Sequence, residues 1–306
     1  MSRRRGTDGP DGLVVVDKEA GWTSHDVVAK LRGVLRQRRT GHAGTLDPSA
    51  TGVLLVGVGR VTRLMRYLQD TSKVYKGTLL LGATTTTLDA DGEVTATYDM
   101  ASVTPSDVMA AATLLTGDIL QIPPMVSAVK IGGERLYEAA RRGEEIERPP
   151  RPVRVERFDL EVGEQPGEWR FEVTCSSGTY VRSLVDDLGR SLGGGAHMTG
   201  LRRLSVGVFT IADAHRLGEI VAATDPNDPA ASPMLLSPAA AMRGLASIEV
   251  LDAQVELLAT GRRIDDPRSS RGSGPVAVLG PGGALVAVCE PKGTAELAPA
   301  VVMVAR

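Results

Sequence analysis

The residues most able to do chemistry lie in one short loop. Gly41-His42-Ala43-Gly44-Thr45-Leu46-Asp47-Pro48 runs directly into Ser49-Ala50-Thr51-Gly52 and holds a single carboxylate, Asp47. No acid precedes it back to Asp26, and the next one along the chain is Asp70. Glycine permits close backbone approach and unusual dihedrals, and Pro48 restricts the chain just after the acid. A loop built this rigidly around a lone Asp points to a carboxylate that is aimed rather than merely solvated. The same residues, taken locally, also fit an ordinary turn with Asp before proline.

The pattern G-H-x-G-T-L-D-P-x-A-T-G-V-L resembles the catalytic motif of the TruB family of RNA pseudouridine synthases. Further blocks resemble that family in the same order. They are Gly12-Leu13-Val14-Val15-Val16-Asp17-Lys18 with Thr23-Ser24-His25-Asp26-Val27-Val28; Lys73-Val74-Tyr75-Lys76 with Leu81-Gly82 and Asp89-Ala90-Asp91-Gly92; Pro124-Met125-Val126-Ser127-Ala128-Val129-Lys130 with Gly133 and Tyr137; Cys175-Ser176-Ser177-Gly178-Thr179-Tyr180-Val181-Arg182; and Gly195-Ala196-His197 through Leu201-Arg202-Arg203. No single tetrapeptide is specific, but ordered blocks are.

The resemblance implies that Asp47 is the catalytic carboxylate, acting as nucleophile or as base. Either role needs an ionised acid, and burial alone raises a carboxylate pKa, so a nearby cation is required. Arg182, in the G-T-Y-x-R block, is the candidate for it. Tyr75 is expected to stack on a flipped-out base, and Tyr180 to contact the base or assist proton transfer. His42 is expected to fill the gap left in the RNA, and Leu201 to contact the uracil. The implied substrate is the uridine at tRNA position 55, in the T-loop. A guide-RNA-dependent relative shares these motifs but usually carries a longer basic tail. This chain ends in Ala305-Arg306, so the stand-alone enzyme acting on the tRNA T-arm as a monomer is favoured. A second reading is an RNA-binding or RNA-folding protein with a vestigial site; the intact Asp47, Tyr75, Tyr180 and Arg182 weigh against it.

Other chemistries find no support. The histidines His25, His42, His197 and His215 lack zinc-ligand spacing. Asp89-x-Asp91-Gly92 is only a fragment of a calcium loop, there is no phosphate-binding glycine loop, and Gly57-Val58-Gly59 lacks the third glycine of a dinucleotide fingerprint. No metal or cofactor is expected. Cys175 and Cys289 form no C-x-x-C pair, which fits a reducing compartment. The first residues carry charge but no apolar run, and no stretch reaches the length of a membrane span, so a cytoplasmic protein is expected.

The net charge is −2, so distribution matters more than the sum. Lys30, Arg32, Arg36, Arg38 and Arg39 lead to the His42 loop without an acid among them. Arg60, Arg63 and Arg66 recur at three-residue spacing, and Arg202-Arg203 adds a pair. Because these clusters flank the loop, a phosphate-tracking surface is expected rather than a set of solvated helix faces.

Patterning predicts strands over 12–18, 51–59, 75–81, 153–162, 169–175 and 197–211. It predicts helices over 25–37, 60–68, 104–115 and 179–192, with Thr104-Pro105 as a cap and first-turn proline. The fold class is therefore α+β around a mainly antiparallel mixed sheet, and the resemblance implies that it is the pseudouridine synthase core. Residues 1–11 read as a flexible basic N-terminus and 12–235 as the catalytic domain. Within it, 123–152 is bounded by prolines and is expected to be an arm that clamps RNA, with Lys130, Arg135, Arg141 and Arg142 against phosphates or base edges. The stretch 224–239 reads as a boundary, and 245–306 as a small β-rich, PUA-like RNA-binding domain.

Overall fold

In the computed structural model, which describes residues 9–127, 129–268, 274–293 and 295–304, strand β1 is Gly12–Lys18 and is buried along nearly its whole length. The basic N-terminus up to residue 8 lies outside the described residues. Helix α1 (Ser24–Val34) starts where Thr23 and Asp26 cap one another. The Asp26 N–H donates to Thr23 Oγ1 at 3.1 Å, and the Thr23 N–H donates to Asp26 Oδ2 at 3.0 Å. It ends short of the expected residue 37 because Arg36 takes φ 48°, in the left-handed region.

Strand β2 (Thr40–His42) runs antiparallel to β3 (Thr51–Val58). The expected helix at 60–68 is instead a 3₁₀ turn over Gly59–Leu64 followed by α2 (Met65–Gln69). Strand β4 (Lys73–Leu81) precedes a hairpin of β5 (Ala83–Thr85) and β6 (Val94–Thr97). Helix α3 (Pro105–Leu114) has the anticipated Thr104 cap and proline in its first turn. After β7 (Gly117–Gln121) come the arm elements β8 (Lys130–Ile131), β9 (Glu134–Arg135) and α4 (Leu136–Arg141). Strands β10 (Arg151–Val162) and β11 (Glu168–Cys175), helix α5 (Val181–Ser191) and β12 (Ala196–Val206) complete the middle of the chain. Then follow β13 (Phe209–Thr210), β14 (His215–Arg216), α6 (Leu217–Ala223) and α7 (Pro238–Ala241). The last part holds β15 (Ala246–Glu249), α8 (Asp252–Ala259), β16 (Ile264–Asp265), β17 (Val276–Leu279), β18 (Leu285–Lys292) and β19 (Glu296–Val302). Helix α8 is absent from the sequence reading.

The chain forms two units, Met1–Asp47 with Val53–Gln69 and Gly207–Arg306, and Pro48–Gly52 with Asp70–Val206. In the first, β14 runs parallel to β1, and β1 lies beside β3. A separate sheet of order β15-β17-β18-β19-β16 packs on a core of Val250, Leu258, Val276, Val278, Val286 and Leu297. The stretch 224–239 is tied down here: Leu13 and Leu236 exchange both backbone hydrogen bonds, each 2.9 Å. Its Asp, Pro and Ser residues build turns; they do not free the backbone.

In the second unit the strand order is β12-β4-β11-β10-β7, with these neighbours antiparallel. The first residues of β3, Thr51 and Gly52, pair in parallel with Arg202 and Arg203. Gly52 has φ 100°, and a Cβ there would meet the Arg203 carbonyl oxygen at 2.1 Å. Only glycine allows that approach. Among the described residues no helix is long and apolar enough to cross a membrane. The architecture is the expected α+β class.

Candidate active site

The loop carrying Asp47 connects β2 to β3; its residues up to Asp47 belong to the first unit and those from Pro48 to the second. His42 pairs with Val56, and the Ala43 N–H donates to the Leu55 carbonyl at 2.9 Å. Gly44 turns the chain with φ 96°. Leu46 is buried, and both of its main-chain groups end on one hydroxyl. Ser24 Oγ donates to the Leu46 carbonyl at 3.1 Å and accepts from the Leu46 N–H at 2.9 Å. Asp47, the next residue, is half-buried. The His42 ring meets the exposed His25 edge-on, with centroids 5.4 Å apart. The rigidity inferred from sequence therefore comes less from the glycines than from a hydroxyl at the start of α1, 22 residues earlier in the chain.

The other candidate residues lie in the second unit. Tyr75 on β4 is buried, and the Arg203 guanidinium sits 6.0 Å from its ring centroid. Tyr180 stands at the start of α5 without a capping side chain of its own. Buried Gln121 serves instead: its Oε1 accepts from the Tyr180 N–H at 2.7 Å, and its Nε2 donates to the Tyr180 carbonyl at 3.1 Å.

Arg182, in the first turn of the same helix, is 4% exposed. It donates to the carbonyls of Thr87 at 2.8 Å and Val126 at 2.9 Å, and its Nε lies 3.6 Å from Asp89 Oδ2. A buried guanidinium has to be matched in this way to offset its lost hydration. Asp89 is itself oriented by the Thr87 hydroxyl and by the Asp91 N–H at 3.2 Å. Sequence reasoning missed Asp89, Gln121 and Ser24. Asp89 was visible as an acid in a family block, but nothing local says that it faces an arginine far along the chain.

A cleft of about 820 Å³ opens in this unit, with Ser49, Thr51, Lys76, Leu201 and Arg202 in its lining. A recess of about 50 Å³ is shared by Ser49, Asp89 and Leu201. Ser49 follows Asp47 by two residues, so the covalent chain leads from the carboxylate loop directly into this lining. The cleft is not uniformly basic. In register across the strands stand Arg202, Lys76, Glu172 and Asp159, and Lys76 Nζ is 3.2 Å from Glu172.

The expected Arg202-Arg203 pair does not act as one. Neighbouring strand residues point to opposite faces, so Arg202 lines the cleft while Arg203 is 1% exposed. Burial and the Arg203 charge push the Lys73 ammonium down to about 8. Burial raises the Cys175 thiol to about 11, so it is no nucleophile at neutral pH.

The row Arg60, Arg63 and Arg66 is also placed differently from the phosphate-tracking surface expected. Arg60 bonds Asp11 and the Met303 carbonyl, Arg63 donates to the Val302 carbonyl at 2.9 Å, and Arg66 reaches Glu290 at 3.2 Å. Arg60 and Arg63 lie in the 3₁₀ turn, where side chains three apart eclipse, and with Arg66 of α2 the row faces β18, β19 and the residue after it. In the arm, Arg142 is held between Glu134 at 2.6 Å and Glu144 at 2.7 Å, while Lys130 is exposed. The side chains of Arg135 and Arg141 lie outside the described residues.

Two family descriptions match this chain. "TruB family pseudouridylate synthase (N terminal domain)" covers residues 32–181, and "tRNA pseudouridylate synthase B C-terminal domain" covers residues 182–240. The chain is 46% identical over 291 residues to tRNA pseudouridine synthase B of Streptomyces coelicolor, covering 92% of this chain and 93% of that protein. It is 46% identical over 299 residues to tRNA pseudouridine synthase B of Streptomyces griseus, covering 95% and 97%. Among solved structures, a chain of a Cbf5-Nop10-Gar1 complex matches with a TM-score of 0.72 and 25% identity, over 95% of this chain and 84% of that one.

Proposed function

The chain belongs to the TruB family of pseudouridine synthases, and from that membership we propose that it converts the uridine at position 55, in the T-loop of tRNA, to pseudouridine. The activity itself, isomerisation of uridine in tRNA, is that of its family and of relatives at 46% identity. The reaction breaks the bond from N1 to C1′, turns the base and joins C5 to C1′. The C5 proton leaves and N1 gains one, so nothing is oxidised and no co-reactant is consumed.

The observation that carries this reading is the held peptide just before Asp47. Asp47 follows a residue whose N–H and C=O are both held by buried Ser24, in a loop with the family's motif. It acts as nucleophile or base on the flipped uridine. Flipping costs a few kcal/mol, and stacking on Tyr75 returns about 1–3 kcal/mol. Tyr180 contacts the base, Leu201 walls the uracil pocket, and His42 fills the gap left in the RNA. Arg182, held by Asp89, supplies positive charge to the site. The body at 12–235 performs the chemistry, the arm at 123–152 closes over RNA, and 245–306 adds affinity. One protomer in the cytoplasm suffices for the T-arm.

Incubating an unmodified tRNA transcript with the full chain and mapping pseudouridine tests the proposal. The product is expected at position 55 alone. Asp47→Asn is expected to abolish it while leaving tRNA binding nearly intact, because phosphate contacts supply most of the affinity. Product at another position, or activity of the variant within about tenfold of the parent, refutes the reading.

A further inference from the structure

Thr23 and Ser24 are adjacent hydroxyl residues at the start of α1, and the fold gives them different partners. Thr23 is exposed and turns its hydroxyl onto Asp26, closing the helix cap. Ser24 is 1% exposed, and its hydroxyl leaves the helix altogether. It donates to the Leu46 carbonyl at 3.1 Å and accepts from the Leu46 N–H at 2.9 Å. One hydroxyl thus satisfies both main-chain groups of the residue that precedes Asp47. Leu46 as a whole is 4% exposed, so that peptide cannot turn to water without leaving its packing.

The clamp acts where the chain has freedom to lose. Gly44, two residues earlier, sits at φ 96°. Pro48, just after Asp47, restricts the conformation of the acid from the other side. Between them, the backbone from which the Asp47 carboxylate projects is placed by where the Leu46 peptide is held. We infer that Ser24 is a positioning residue for the isomerisation, aiming Asp47 without touching substrate. This rests on the reading of Asp47 as the catalytic carboxylate. An error of about 1 Å in the placement of a reacting group costs on the order of 100-fold in rate. The loss falls on kcat, because phosphate contacts elsewhere bind the tRNA.

The experiment compares S24A, S24C, T23A and D47N in the full chain, with steady-state kinetics on tRNA transcript and thermal melting of each protein. S24C fills the serine's volume with a thiol that bonds weakly, so it carries the test if S24A does not fold. For S24A and S24C, kcat is expected to fall about 10- to 100-fold, with KM within about threefold of the parent. T23A loses the cap of the same helix, so its melting temperature should drop while kcat stays within about twofold. Three results overturn the inference: kcat of the Ser24 variants within about twofold of the parent, a loss carried by KM instead, or a fall in kcat for T23A as large as for S24A. D47N separates the two readings. If it remains active, the assignment of Asp47 is wrong; if it is dead while the Ser24 variants turn over normally, only the clamp is wrong.

Discussion

Arg182 and the row Arg60, Arg63 and Arg66 look alike in the sequence, as cations set among apolar residues near motifs of interest, yet the fold uses them in opposite ways. Arg182 is buried and bonded to two carbonyls with Asp89 beside it. The row is half-exposed, and its members end on the carbonyls of β19 and its neighbour Met303 and on Glu290. A buried charge is tolerated only when every group around it is matched, so removing one partner strands the rest. Exposed pairs exchange protein for water at little cost, about 0–1 kcal/mol each. Environment, not spacing, decides what an arginine is for.

The hardest test of this contrast is Arg182→Ala. It removes the cation beside the buried Asp89 carboxylate and the donor to the Thr87 and Val126 carbonyls, a loss of about 3–5 kcal/mol. A large drop in melting temperature and a fall in kcat of at least about 100-fold are expected. Arg182→Lys should not restore either, because an ammonium cannot span a carboxylate and two carbonyls as a planar guanidinium does. If the lysine variant melts and turns over like the parent, the contrast collapses.

Helix α5 offers a second charge with poorer matching. Asp187 is raised from 3.8 to about 6, first by burial and then by the neighbouring Asp186 charge. Because the folded value lies above the unfolded one, the stabilisation belongs to the protonated form. It is fully present below about pH 4 and lost as pH rises through about 6. Asp187→Asn should therefore melt above the parent at pH 7, and the difference should shrink towards pH 4. A difference independent of pH would mean that Asp187 is better partnered than its surroundings indicate.

The smallest effect is expected at the exposed row. Arg63→Ala combined with Arg66→Ala should lower stability by no more than about 0–1 kcal/mol per pair. Each phosphate contact contributes about 0.7–0.9 to the slope of log K against log salt for tRNA binding. An unchanged slope keeps the row as a contact within the fold. A slope reduced by about 1.5 makes it an RNA contact after all.

Much of this protein is local enough to be legible in its sequence. The Asp47 loop, the cap at Thr104 and the strands on either side of α5 follow from short-range rules. Capping, glycine dihedrals and two-residue alternation act within a few residues of one another. The motif blocks fall on these elements, so the chain's family was also open to reading. The splitting of Arg202 from Arg203 follows from strand alternation, but only once the strand is known to have one covered face.

Partnerships across long separations were not legible. Arg182 meets Thr87, Asp89 and Val126, Gln121 meets Tyr180, Ser24 meets Leu46, and Arg60 meets Met303. None of these pairs has a spacing that signals it. They are set by strand register and by which face each element buries. Those are decided jointly, since a buried donor takes whichever acceptor the finished packing leaves within about 3 Å. The sequence by itself determined which residue types were available for chemistry and which short segments would present them. Only the tertiary structure decided which charges were spent on holding the fold and which were left to face a substrate, because desolvation depends on everything packed around a group and not on its neighbours along the chain.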